Sequence, residues 1–167
     1  MSILKRLGKI KTLIEKVGGT VNGRKKLHKL VYLLQHSGDN LGYRFVFHNY
    51  GVFSPLLAND LDMGSSMNAI EQKIIPGSNA YKISLSETAS KMIINDDLSS
   101  KSEEIIEVLK NKEPQLLEAL STIVYLNSNY YQGTRLRKKL EELKPNLASQ
   151  YDEAFELANR LFDVETN

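Results

Sequence analysis

GRKKLHKLVYLLQHSGDNLGYRFVFHNYGVFSPLLANDL, residues 23–61, joins a basic periodic helix to an aromatic strand and a capped corner. Leu27, Leu30, Val31 and Leu34 recur at i, i+3, i+4 and i+7, a spacing that commits one side of the helix to a core. Arg24, Lys25, Lys26 and Lys29 crowd its first turns, where the positive end of the helix dipole makes cations mildly unfavourable. Local stability does not account for them, so they are the candidate nucleic-acid or anion contacts. The competing reading is solvated cations, or partners for carboxylates further along the chain. After the turn-like Ser37-Gly38-Asp39-Asn40, alternation places Tyr43, Phe45 and Phe47 on one face of a half-buried strand running to His48. Gly51 permits a corner, and Ser54 with Pro55 makes an N-cap and first position for a short helix from Leu56 to Met63.

Working outward, residues 2–17 read as an amphipathic helix with Ile3, Leu7, Ile10, Ile14 and Val17 on one stripe, stopped by Gly18-Gly19. Beyond the organising stretch, Glu71 to Ile75 and Tyr81 to Leu85 flank the turn Pro76-Gly77-Ser78-Asn79 and predict a β-hairpin. Ser86 is expected to cap a helix running to Ile94. Helix, helix, short helix and hairpin is the order of a winged-helix-like domain with the hairpin as wing. A helix-turn-helix joins its helices by a 3–4-residue turn, whereas about 18 residues including a strand intervene here, so a winged-helix-like domain would carry an insertion or be altered for another purpose.

The polar run Asn95 to Ser100 is the expected boundary, and after it the pattern is purely helical: 102–110, 114–126, 134–143 and 145–162. The expected fold is therefore α+β and mostly helical. A winged-helix-like part spans 1–95, a linker 96–101, and a helical subdomain packed on the first part 102–167.

A chain of 167 residues, 41% hydrophobic, accommodates an ordinary core but no large multidomain enzyme. It has no cysteine, which removes disulfides and thiolate metal sites. With no apolar run near the roughly 18 residues of a membrane span, and no signal-peptide pattern at its start, it reads as cytoplasmic and without a membrane partner. Charge is uneven: residues 1–50 hold 10 Lys/Arg against 2 Asp/Glu, and residues 51–133 hold 6 against 11. Such an asymmetry attracts nucleic acid, the rest of the same chain, or a second copy of it.

Gly23-Arg24-Lys25, the helix Leu27-His28-Lys29-Leu30-Val31-Tyr32-Leu33-Leu34, then Gly42-Tyr43-Arg44-Phe45 and Tyr50-Gly51-Val52-Phe53-Ser54-Pro55-Leu56-Leu57 with Asp60 resemble the uncharacterised YwgA-like family of small bacterial proteins. Ala119 to Leu126 and Leu143-Lys144-Pro145 extend the resemblance over most of the chain. The same helix and corner are more loosely similar to the Panacea, or SocA-like, antitoxin domain. This chain has Val52 where those families usually place proline, and His28 where they often have glutamine. The resemblance supplies no catalytic residues.

His28, His36 and His48 fall in no metal-ligand spacing, and the common nucleotide and hydrolase signatures are absent, so no metal, cofactor or catalysis is expected. Asp60 or Asp62 with Glu71-Gln72-Lys73 resembles the D…E-x-K arrangement of metal-dependent nucleases, but the aspartates lie on a helix and not on a neighbouring strand; this is the remote alternative. Tyr130 and Tyr131, in a polar connector, are candidate partner contacts. The functional expectation is a winged-helix-like nucleic-acid-binding or regulatory protein. The alternative is a protein-interaction module, antitoxin-like or self-associating, so DNA, a protein partner and a second copy are the candidate partners.

Overall fold

The computed structural model describes residues 1–165, and it is α+β and mostly helical. Helix α1 (Ile3–Lys16) is capped by the Ser2 hydroxyl and ends where Gly18 and Gly19 take φ of 107° and 96°. A short strand, β1 (Thr20–Asn22), that the alternation rule is too long-ranged to detect leads into α2 (Arg24–His36). Then come β2 (Val46–His48), β3 (Gly51–Phe53), α3 (Pro55–Ser66), and the hairpin β4 (Ile70–Ile74) and β5 (Tyr81–Leu85). β5 is central, with β1 on one side and β4 on the other, both antiparallel. The chain continues through α4 (Ala89–Met92), α5 (Ser100–Leu109), α6 (Pro114–Ser128), α7 (Gly133–Leu143), a 3-10 segment (Pro145–Gln150) and α8 (Tyr151–Phe162).

Several expectations change for identifiable reasons. The strand expected from Tyr43 begins only at Val46, because the Gln35 side chain takes the place of a partner strand. Its amide accepts from Tyr43 N at 2.8 Å and donates to Tyr43 O at 2.8 Å. Ser86 does not cap a long helix: with Thr88 it hydrogen-bonds the Asn68 carbonyl, and α4 is a single turn. The helix expected over 145–162 opens with the 3-10 segment, held where the Tyr151 hydroxyl donates to Lys144 O at 2.6 Å.

One hydrophobic core runs from Leu7 to Val164 and is shared by the segments expected as separate parts. α2 is buried continuously from Leu27 to Leu34, since α6 packs on the side its periodicity left open to solvent. α6 in turn also packs against α8 and β3. The 96–101 stretch, expected as a linker, is fastened: Asp96 N donates to Gly8 O, Lys9 donates to Asp97 O at 2.6 Å, and Asp39 accepts from Ser99 and Ser102. Gly8 is required at that crossing, because a Cβ there would lie 2.4 Å from the Ile94 carbonyl oxygen.

A cation-lined pocket as the candidate functional site

The 37–54 insertion folds back over the first turns of α2. β2 and β3 pair as a tight hairpin with His48 opposite Gly51, and Gly51 adopts φ 90° at its corner. Ser54, wholly buried, caps α3 through its hydroxyl, which accepts from Leu57 N at 3.2 Å. Between α2, this hairpin and the start of α3 lies a pocket of about 380 Å³, walled by Arg24, Lys25, His28, Lys29, His48, Asn49, Tyr50, Phe53 and Ala58. Its size falls in the range of small-molecule sites.

The four cations singled out in the sequence are dispersed among different tasks. Arg24 donates to Gln72 at 2.6 Å and to Asp62 at 2.7 Å, and lies over the Tyr81 ring. Lys26 turns the other way and donates to Lys110 O at 2.9 Å, beyond the end of α5. Lys29 is only 3% exposed and has one long bond, to Val52 O at 3.3 Å. Lys25 alone is exposed, its ammonium 3.5 Å from the centre of the Tyr50 ring. Three of the four, Arg24, Lys25 and Lys29, reach the pocket.

His28 is the residue that helix periodicity undervalued. It is 2% exposed, stacked on Phe53 at 4.6 Å, and its Nδ1 accepts from Ser54 N at 3.0 Å. That bond fixes the neutral tautomer with hydrogen on Nε2. Burial, reinforced by Lys29 and Arg24, pushes His28 down to about 4. Burial likewise pushes Lys29 down to about 8; Glu118 opposes this, and Lys144 and Lys25 add to it. Lys144 itself, 3% exposed, donates to Asn49 O at 2.6 Å and pairs with Glu118 at 3.3 Å, so the C-terminal half holds the pocket's hairpin in place.

His28 has a consequence for acid stability. An unfolded histidine protonates near 6.5 and the folded one only near 4, so between these values the unfolded chain binds the extra proton preferentially. Stability is therefore full above about 6.5 and declines as pH falls toward 4, by on the order of 3 kcal/mol. Replacing His28 with glutamine, whose carbonyl can take the Ser54 amide, is expected to flatten the pH dependence of urea midpoints across that window. Equal acid sensitivity in H28Q and wild type would refute the assignment.

The other candidates separate as well. Tyr130 is 86% exposed at φ 69°, whereas Tyr131 is partly buried under Arg135. Asp60 is buried against Arg6 and Tyr43, Asp62 pairs with Arg24, and Glu71 faces Lys73 at 3.7 Å, so the acidic residues of the nuclease-like pattern are not brought together. Among the described residues no cluster of three or more His, Asp or Glu has metal-binding geometry, and no helix is long and apolar enough to cross a membrane.

Fold and pocket together define a small, mostly helical α+β protein with a partly closed, cation-lined cavity. The chain is similar to the uncharacterized protein YwgA of Bacillus subtilis (strain 168), at 26% identity over 154 residues, covering 87% of this chain and 90% of that protein. This distant relationship over most of the chain supports the YwgA-like family. No family model matches the chain, and no solved structure matches it.

Proposed function

We propose that this chain is a regulatory binding protein without catalysis, on a winged-helix-like scaffold, whose macromolecular partner is a protein and not the major groove of duplex DNA. The scaffold reading rests on the order α1, β1, α2, α3, β4, β5, with β1 joining the far side of the hairpin. The observation that carries the choice of partner is the outer face of α3. Where a groove-reading helix needs cations or amides, α3 exposes Leu56, Asn59, Asp62, Met63 and Ser66. One amide is offset there by an acid and two large apolar groups. Of the four basic residues that favoured DNA in the sequence, Arg24, Lys26 and Lys29 hydrogen-bond within the chain and Lys25 is exposed.

Fluorescence anisotropy on a mixed-sequence duplex at several salt concentrations tests this. With Lys25 the one cation of the four left exposed, the log–log salt slope is expected at about −0.9 or shallower; a row of four phosphate contacts would give about −3.6 and overturn the reading. In parallel, a partner captured from the native host should survive nuclease treatment and be lost in a Leu56→Glu/Met63→Glu variant. Loss on nuclease treatment would restore the nucleic-acid alternative.

A further inference from the structure

We propose that the pocket between α2, the β2–β3 hairpin and α3 binds a small organic anion, an oxyanion group carried on a flat apolar body. Three of its nine lining residues are cations, Arg24, Lys25 and Lys29, and none is a carboxylate. Two of its polar groups are buried with donor capacity unspent. Lys29, 3% exposed, has three donors and one protein acceptor, at 3.3 Å. His28 is 2% exposed and its Nδ1 is occupied by Ser54 N, while its Nε2–H, without a protein acceptor among the described residues, is not sealed from solvent, and the ring lines the pocket. Both residues line the pocket, so an oxygen bound there would take hydrogen bonds that no protein group uses up. The wall consists of rings: Phe53 stacked on His28, His48 edge-on to Phe53 at 5.3 Å, and Tyr50 under Lys25. Such a wall takes a planar body, and Lys29 and His28 take its oxygens. Lys25, free of carboxylates and resting on Tyr50, stands over the site as an outer cation.

The test uses the full chain and amide NMR shifts with three probes: phenyl phosphate, benzoate and benzyl alcohol. At least one of the two anions should bind saturably, moving the amides of Lys25, His28 and Ser54, and about tenfold or more tighter than the neutral alcohol. The stronger of the two tells phosphate from carboxylate. Lys29→Met should weaken that anion about tenfold or more and leave the alcohol unchanged. Lys25→Ala, at an exposed position that leaves the core intact, should weaken it about threefold, which keeps the proposal falsifiable should K29M fail to fold. Equal binding of alcohol and anions, shifts mapping elsewhere, no saturable anion binding at millimolar concentration, or unchanged affinity in Lys25→Ala would each overturn it. The site and the protein-partner reading stand or fall separately, because neither α3's outer face nor DNA enters this measurement.

Discussion

Arg6→Ala is expected to destabilise the chain by about 3–5 kcal/mol, the usual cost of removing one partner from a buried ion pair. Asp60 is 0% exposed and its carboxylate is held by Arg6 at 2.7 and 3.0 Å and by the Tyr43 hydroxyl at 2.9 Å. Removing the guanidinium leaves a buried carboxylate with one neutral donor, in a position that water reaches poorly. The same contact ties α1 to α3 and to the Tyr43 end of the insertion, so its loss also loosens the frame behind the pocket. Denaturant titration of Arg6→Ala beside Arg6→Met/Asp60→Asn separates charge from packing. The double variant keeps an acceptor for Tyr43 and carries no unpaired charge, so it should recover more than half of the loss. A double variant as unstable as Arg6→Ala would show that packing, and not the stranded carboxylate, sets the cost.

A fragment ending at Asp97 is expected not to fold cooperatively. It contains every element of the winged-helix-like part, but α2 buries Leu27, Leu30, Val31, Leu33 and Leu34 completely, and α6 supplies one wall of that burial. A large apolar side chain returned to water forfeits about 1.5–3 kcal/mol. Against a total stability of about 5–15 kcal/mol, uncovering one side of α2 consumes most of it. The fragment also lacks Lys144, and with it the bond that holds Asn49. Circular dichroism during thermal unfolding reads this directly: a sigmoidal melt of the fragment would establish an autonomous N-terminal domain.

Much of the architecture was legible in the residues. α1 and its Gly18-Gly19 stop, the Ser54-Pro55 start of α3, and the hairpin around Pro76-Gly77 are written locally, because caps, glycine conformations and short-range periodicity act over a few positions. Strand β1 was not legible, since three residues carry too little alternation and its partner β5 lies some sixty positions away. The extent of the aromatic strand was misread because a side chain, Gln35, satisfied the Tyr43 backbone that a neighbouring strand would otherwise have claimed. Of the candidate contacts, Lys25 keeps its exposure, while Arg24, Lys26 and Lys29 are redirected by partners from β4, α3, the residue capping α5, and β3.

By itself, the sequence determined the mostly helical α+β class, the hairpin and the accumulation of cations at the start of α2, because each of these is a property of neighbouring residues. Tertiary structure alone decided what those cations do. Whether a lysine meets a phosphate, a carbonyl or a cavity depends on which distant segment arrives beside it, and here the arrivals are Gln72, Lys110 and the corner at Val52. It also decided that His28, ordinary in the helical pattern, is a buried neutral ring with one nitrogen committed to Ser54 and the other left to the pocket. Helical period fixes only the direction in which a side chain leaves its own helix, and the chemistry it meets there is set by long-range packing.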